Sequence, residues 1–179
     1  MEMTQELCEK AVALAKENHV EHNRSCSESV FNALIRAGVI DVPEDYTRIG
    51  TALSGGVCAS GNTCGAINGG LMAIGVAYGR RTPRQDEDKL DPEMRAGIEK
   101  DWRFAKMKRF NLFVNEMEER IGTVCCWDVV KGSGGYFEGK RLMKCPEIIT
   151  CATEVACKYI GMSDEECKEL PFGKNILGF

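Results

Sequence analysis

Apolar residues in this chain recur at three- and four-residue spacing in segment after segment, and a glycine closes most of those segments. That spacing is the period of a helix, whereas a half-buried strand alternates every two residues. Leu7, Ala11, Leu14 and Ala15 mark a helix over residues 3–18. Val30, Phe31, Leu34 and Ile35 mark one over residues 26–37, with Gly38 just past its end and Ser25 and Glu28 spaced as a capping box. A short helix is expected at about Asp45–Leu53, broken by Gly55-Gly56, and another over residues 64–79, closed by Gly79 with Arg80 and Arg81 suited to its negative end. Residues 82–92 read as a polar linker or surface loop. A long helix follows from about Glu93 to Ile121, with Ile98, Trp102, Phe104, Phe110, Phe113, Val114 and Met117 among its apolar positions and Gly122 at its end. A short helix is expected at about Cys125–Val130, then a flexible turn at Gly132, Gly134 and Gly135, then a helix over Pro146–Ile160 ended by Gly161. Ser163 to Glu166 has the pattern of a cap for a final short helix. No segment alternates convincingly as a strand. The expected fold is all-α, a single-domain helical bundle over residues 1–179.

A chain of 179 residues is long enough to bury a real core. The net charge of −4 argues against a phosphate-binding surface, and hence against nucleic acid as a partner. The one basic cluster, Lys106, Lys108 and Arg109, alternates with apolar residues and reads as the solvated face of a helix. The most apolar run, Gly69–Tyr78, falls well short of the roughly 20 residues needed to cross a bilayer. The opening MEMTQELCEK has neither a basic nor an apolar leader region, so a cytoplasmic location with reduced thiols is expected. In that setting 10 cysteines point to metal binding or redox work rather than to a disulfide framework.

Cys26, Cys64, Cys126 and Cys145 are far apart in sequence, yet each falls where a helix is expected to start. Cys145 precedes Pro146, and proline favours the first helical position, which makes Cys145 the expected N-cap. Unpaired N–H groups and the helix dipole put partial positive charge at such an end. A thiolate there is stabilised and its pKa falls, and an anionic iron–sulfur cluster would be stabilised in the same way. The plainer alternative for any one of these cysteines is a packing residue. Cys125 is adjacent to Cys126 and a bond between them would be strained; Cys58 and Cys151 are further candidate ligands. Cys8 and Cys157 read as core residues, and Cys167 carries no signal. Cys145, Cys151 and Cys157 are six residues apart, a spacing that points them to three different helix faces.

Gly65, Ala66, Gly69, Gly70, Ala73, Gly75 and Ala77 give helix 64–79 a face of small residues. Each glycine there costs up to about 1 kcal/mol of helix propensity, so something approaches closely. Tight helix packing, room for a cofactor, or a second copy in a homodimer would each account for it. His19 and His22 read as a solvated helix end rather than a metal pair. There is no CxxCH, no GxGxxG and no P-loop motif.

Cys64-Gly65-Ala66-Ile67-Asn68-Gly69 is a CGAxxG motif, preceded by NRSCSESVFNAL and followed by IGTVCCWDVV and KCPEIITCATEVA. Together these resemble the C-GCAxxG-C-C family of redox-active proteins over about residues 20–160. The resemblance implies redox-active cysteines at Cys26, Cys64, Cys126 and Cys145, with Cys125 as the alternative third member. The chain departs from that pattern in six additional cysteines and in a longer segment between residues 80 and 110. Three functions are then open. One is an iron–sulfur protein for electron transfer, with those four cysteines as ligands and an unidentified electron donor or acceptor. The second is a cofactor-free thiol–disulfide redox protein using the same thiols, although no CxxC is present. The third is a structural metal-binding protein, which the absence of short CxxC knuckles disfavours. No residue stands out as a general base, so no turnover reaction is assigned.

Overall fold

The computed structural model describes residues 3–80, 91–131 and 141–174. They form the helices α1 (Gln5–Val20), α2 (Cys26–Ala37), a 3-10 helix (Glu44–Leu53), α3 (Gly65–Tyr78), α4 (Pro92–Ile121), α5 (Cys126–Val130), α6 (Arg141–Gly161) and α7 (Asp164–Glu169). The fold is all-α, as the spacing of apolar residues predicts. Among the described residues the one β-type contact is an isolated bridge between Thr63 and Cys125. Most of the expected linker at 82–92 and the glycine turn at 132–135 lie outside the described residues.

The helix ends follow the expected chemistry. Glu28 closes the α2 capping box, accepting from the Ser25 N–H at 2.9 Å and the Ser25 hydroxyl at 2.7 Å. Ser163 and Glu166 make the corresponding box on α7. Gly38 and Gly122 end α2 and α4 in the left-handed conformation, at φ 86° and 81°.

α6 departs from expectation. It begins at Arg141, so Pro146 lies inside it and Cys145 is not an N-cap. Pro146 is the sixth residue of α6, and the bond it forfeits is the single one its N–H would have made to the Leu142 carbonyl. That loss is small enough for the helix to run through.

α2 is the centre of the bundle. It packs on α1, α3, α6 and the 3-10 helix, while α6 also packs on α1, α3 and α4. Phe31, Leu34, Ile67, Ile74, Phe113, Met117, Ile149 and Val155 are fully buried between them. A polar seam runs through the same core. Asn18 donates to Asn32 Oδ1 at 2.9 Å, and Asn32 donates to Thr47 at 2.9 Å and to Glu44 at 3.0 Å. It ties α1, α2 and the 3-10 helix together, and its members are satisfied, which is the condition for burying them.

The glycine face of α3 is filled by the chain itself. A Cβ on Gly69 would stand 2.6 Å from the Ser27 carbonyl oxygen and 2.9 Å from Val30 Cβ, and one on Gly70 would strike the Phe113 ring. Ser27 and Val30 of α2 and Phe113 of α4 therefore fill the space beside Gly69 and Gly70.

Arg109 is not solvated. It is 3% exposed, lies 3.8 Å over the Tyr78 ring, donates to the Tyr159 and Met162 carbonyls and pairs with Asp164 at 2.9 Å. Those carbonyls belong to the last turn of α6 and its exit, where no helical partner remains, and the guanidinium supplies the missing donors. Lys108 caps another end, donating to the Lys168 carbonyl at 2.7 Å, and the Lys106 side chain lies outside the described set. His19 Nδ1 lies 2.9 Å from the Arg24 carbonyl and His22 pairs with Glu17, so the two histidines share no site. Among the described residues no helix is long and apolar enough to cross a membrane.

Candidate functional site

Between the 3-10 helix and α3 the backbone winds left-handed. Gly55, Gly56, Val57, Cys58 and Ala59 have φ of 62°, 72°, 64°, 50° and 59°, and Gly61 has φ of 78°. Each L-residue held there costs about 1–2 kcal/mol, and three of the five are not glycine. Backward hydrogen bonds close the turn: Cys58 N–H to Ala52 at 2.9 Å, Ala59 N–H to Ser54 at 3.0 Å and Asn62 N–H to Gly56 at 2.9 Å. The approach to α5 holds it from the other side, with Cys126 N–H donating to Asn62 at 2.6 Å, Trp127 N–H to Gly61 at 2.9 Å and Cys64 N–H to Val124 at 2.8 Å. There is no slack in this pairing, since a Cβ on Gly56 would lie 2.7 Å from Cys126 Cβ. Ala59→Gly removes one left-handed penalty and should stabilise the protein, by up to about 1 kcal/mol after the greater freedom of the unfolded chain is subtracted. A lower thermal midpoint for that variant would show that the turn is not strained at Ala59.

The cysteines gather around this turn. Cys26 opens α2 beside Gly65, where a Cβ would lie 3.1 Å from the Cys26 Cβ. Cys64 is the N-cap of α3 and is 5% exposed. Cys126 opens α5, lies against Gly56 and is 7% exposed. Cys145 projects from α6 into the same core as Cys64, and the two thiols are electrostatically coupled. Of the four expected helix-start positions, two stand on full helices. α5 has only five residues and Cys145 lies inside α6.

Cys125 is half-buried, with its thiol donating to the Gly61 carbonyl at 3.2 Å, and Cys58 is exposed, donating to Ala52 at 3.2 Å. Cys151 points elsewhere, toward Arg120 and the carboxylates of Glu154 and Glu116. The three faces expected for Cys145, Cys151 and Cys157 are thus realised, because Cys157 faces Cys8. Among the described residues no group of three or more His, Cys, Asp or Glu is placed to hold a metal ion, so the closed tetrahedral site of a structural zinc protein is not formed there.

The expected fall in the Cys64 pKa is reversed. Burial pushes the thiol above its ordinary 9.0, the facing N–H groups of Ala66 and Ile67 pull it back only in part, and Cys145 adds to the rise. A helix end is worth well under one pKa unit at an exposed site, and desolvation outweighs it here. Burial likewise raises Cys8, Cys151 and Cys157. These folded-state pKa values lie above the unfolded value, so their contribution is fully present below about pH 9 and is lost as pH rises through the folded values. The melting temperature should hold steady up to about pH 8 and fall progressively above pH 9, a fall that thermal scans across that range would measure.

The left-handed turn is the part of the site that sequence reasoning missed. Gly55-Gly56 and Gly61 signal a break, but nothing local marks Val57, Cys58 and Ala59 as left-handed. No curated protein and no solved structure matches the chain significantly. Residues 24–159 match a family model described as "Putative redox-active protein (C_GCAxxG_C_C)". The matched span covers the left-handed turn and all four cysteines gathered around it, and the chain belongs to the C_GCAxxG_C_C family of redox-active proteins.

Proposed function

We propose that the chain is a thiol redox protein in which Cys64 and Cys145 cycle between dithiol and disulfide, with Cys26 and Cys126 beside them. The observation that carries this is the placement of Cys64 and Cys145, distant in sequence, as buried thiols in one core behind the turn. Oxidation joins the two sulfurs, releases two protons and passes two electrons to a disulfide acceptor, whose sulfurs leave as thiols. Burial of Cys64 slows the first attack at neutral pH, because the thiolate is the reactive form.

An iron–sulfur protein is the second reading. It is supported by four thiols from four helices around one turn and by the Ala66 and Ile67 N–H groups facing the Cys64 sulfur. The donor chemistry fits such a cluster, which would supply one-electron transfer when bound, with Cys26, Cys64, Cys126 and Cys145 holding it. The described thiols are not placed to hold a metal ion, so the four side chains would have to move toward one another.

Protein purified without oxygen separates the two. Iron and acid-labile sulfide are counted per chain, and thiols are titrated before and after oxidation with a low-molecular-weight disulfide. Loss of two thiols in a metal-free protein, mapped to Cys64 and Cys145, supports the thiol couple. Matched iron and sulfide with a broad absorption near about 400 nm overturns it in favour of the cluster.

A further inference from the structure

The end of α4, the helix α5 and the first half of α6 border a cavity of about 430 Å³ whose lining includes neither Cys64 nor Cys145. Ile121 and Ile148 give it apolar wall, and Cys151 lines it as a half-buried thiol. Two of its charged residues are already matched. Arg120 is held by Glu116 at 2.7 Å and Glu154 at 3.2 Å, and Asp128 by Lys131 at 2.6 Å. Lys144 and Glu147 differ. They stand three residues apart on α6, both are exposed, and neither has an ion-pair partner among the described residues. Unpaired charges on an open surface are ordinary and simply solvated. Here two of opposite sign border a cavity of ligand size that also holds a thiol, and a few placed polar groups on an apolar wall are what orients a small ligand. The amino-acid end of a small thiol compound carries an ammonium beside a carboxylate, so it offers each of the two the charge it lacks.

We propose that this cavity is a modification site, at which Cys151 forms a mixed disulfide with a small amino-acid-type thiol, of the kind of cysteine or glutathione, delivered as its disulfide. Lys144 and Glu147 hold the amino-acid end while the sulfurs react. The Cys151 thiolate attacks one sulfur of the incoming disulfide. A bond forms between that sulfur and Cys151, the original S–S bond breaks, and the departing thiolate takes up the proton that Cys151 gave up. Cys151 passes from thiol to disulfide, and one half of the incoming disulfide is reduced to a thiol. Cys151 is the one cysteine among the described lining residues, so no neighbouring thiol displaces the adduct and it lasts until a free thiol in solution removes it. Burial raises the Cys151 pKa and Arg120 opposes the rise, so the reaction quickens in mild alkali.

The test is made on the reduced full-length protein at mildly alkaline pH. It is incubated either with oxidised glutathione or with the uncharged disulfide of mercaptoethanol. Free thiols are then capped with a maleimide, and each cysteine is mapped by mass spectrometry without reduction. Cys58, exposed in the same chain, reports the intrinsic reactivity of each disulfide. Relative to Cys58, Cys151 should be modified by oxidised glutathione roughly fivefold faster than by the uncharged disulfide, about what two solvent-screened charge contacts supply. The variant carrying Lys144→Ala and Glu147→Ala, both at exposed positions, should lose that preference and keep its melting temperature. Because every cysteine is mapped separately, failure of the Cys64–Cys145 link leaves this result unaffected. Cys151 capped by maleimide after both treatments, no preference over Cys58, or a preference that survives in the double variant overturns the proposal.

Discussion

Cys64→Ser is expected to abolish the redox couple while leaving the fold intact. Serine differs from cysteine by one atom, and it is among the preferred N-cap residues. At this position the Ala66 and Ile67 N–H groups already face the side chain, so the hydroxyl oxygen meets donors instead of being buried unpaired. Stability should therefore change by less than about 1 kcal/mol. The dithiol reading expects the variant to lose both thiols' worth of reversible oxidation, because Cys145 is left without its partner. The cluster reading expects iron and sulfide to fall together. A variant that stays folded and keeps the full wild-type electron count would remove Cys64 from the redox site and with it the proposed function.

Gly69→Ala should have the largest effect on stability. In an isolated helix this substitution is favourable by nearly 1 kcal/mol. Here the new methyl would stand 2.6 Å from the Ser27 carbonyl oxygen and 3.2 Å from Ser27 Cα, which are backbone atoms of α2 and cannot rotate away. The two helices must part, and the loosened packing of the buried Val30–Ile67 layer outweighs the gain in propensity. A net loss of about 3 kcal/mol is expected, read as a drop in the denaturation midpoint with an unchanged slope. Parting α2 from α3 also separates Cys26 from Cys64, so the thiol chemistry should change in the same variant. An unchanged or raised midpoint would mean that α2 and α3 meet less tightly than the structure shows.

The all-helical class, the positions of nearly every helix end and the setting of Cys26 and Cys64 at helix starts were all legible in the sequence. These are local properties. A 3.6-residue period, a Ser-x-x-Glu cap or a glycine in the left-handed conformation acts within a few residues, so the chain spells them out directly. Pro146 shows the limit of that local rule. It marks a first turn in isolation, yet α6 starts five residues earlier because one lost hydrogen bond is tolerated near a helix start.

Tertiary structure decided the rest, because burial depends on what arrives from elsewhere in the chain. It turned Arg109 from a surface cation into the donor for the exposed end of α6. It filled the glycine face of α3 with Ser27, Val30 and Phe113. It raised the Cys64 pKa that the helix start alone would have lowered, since desolvation within the assembled core exceeds the field of one helix end. It also packed α1 along α6, a seam that no spacing in the sequence announces.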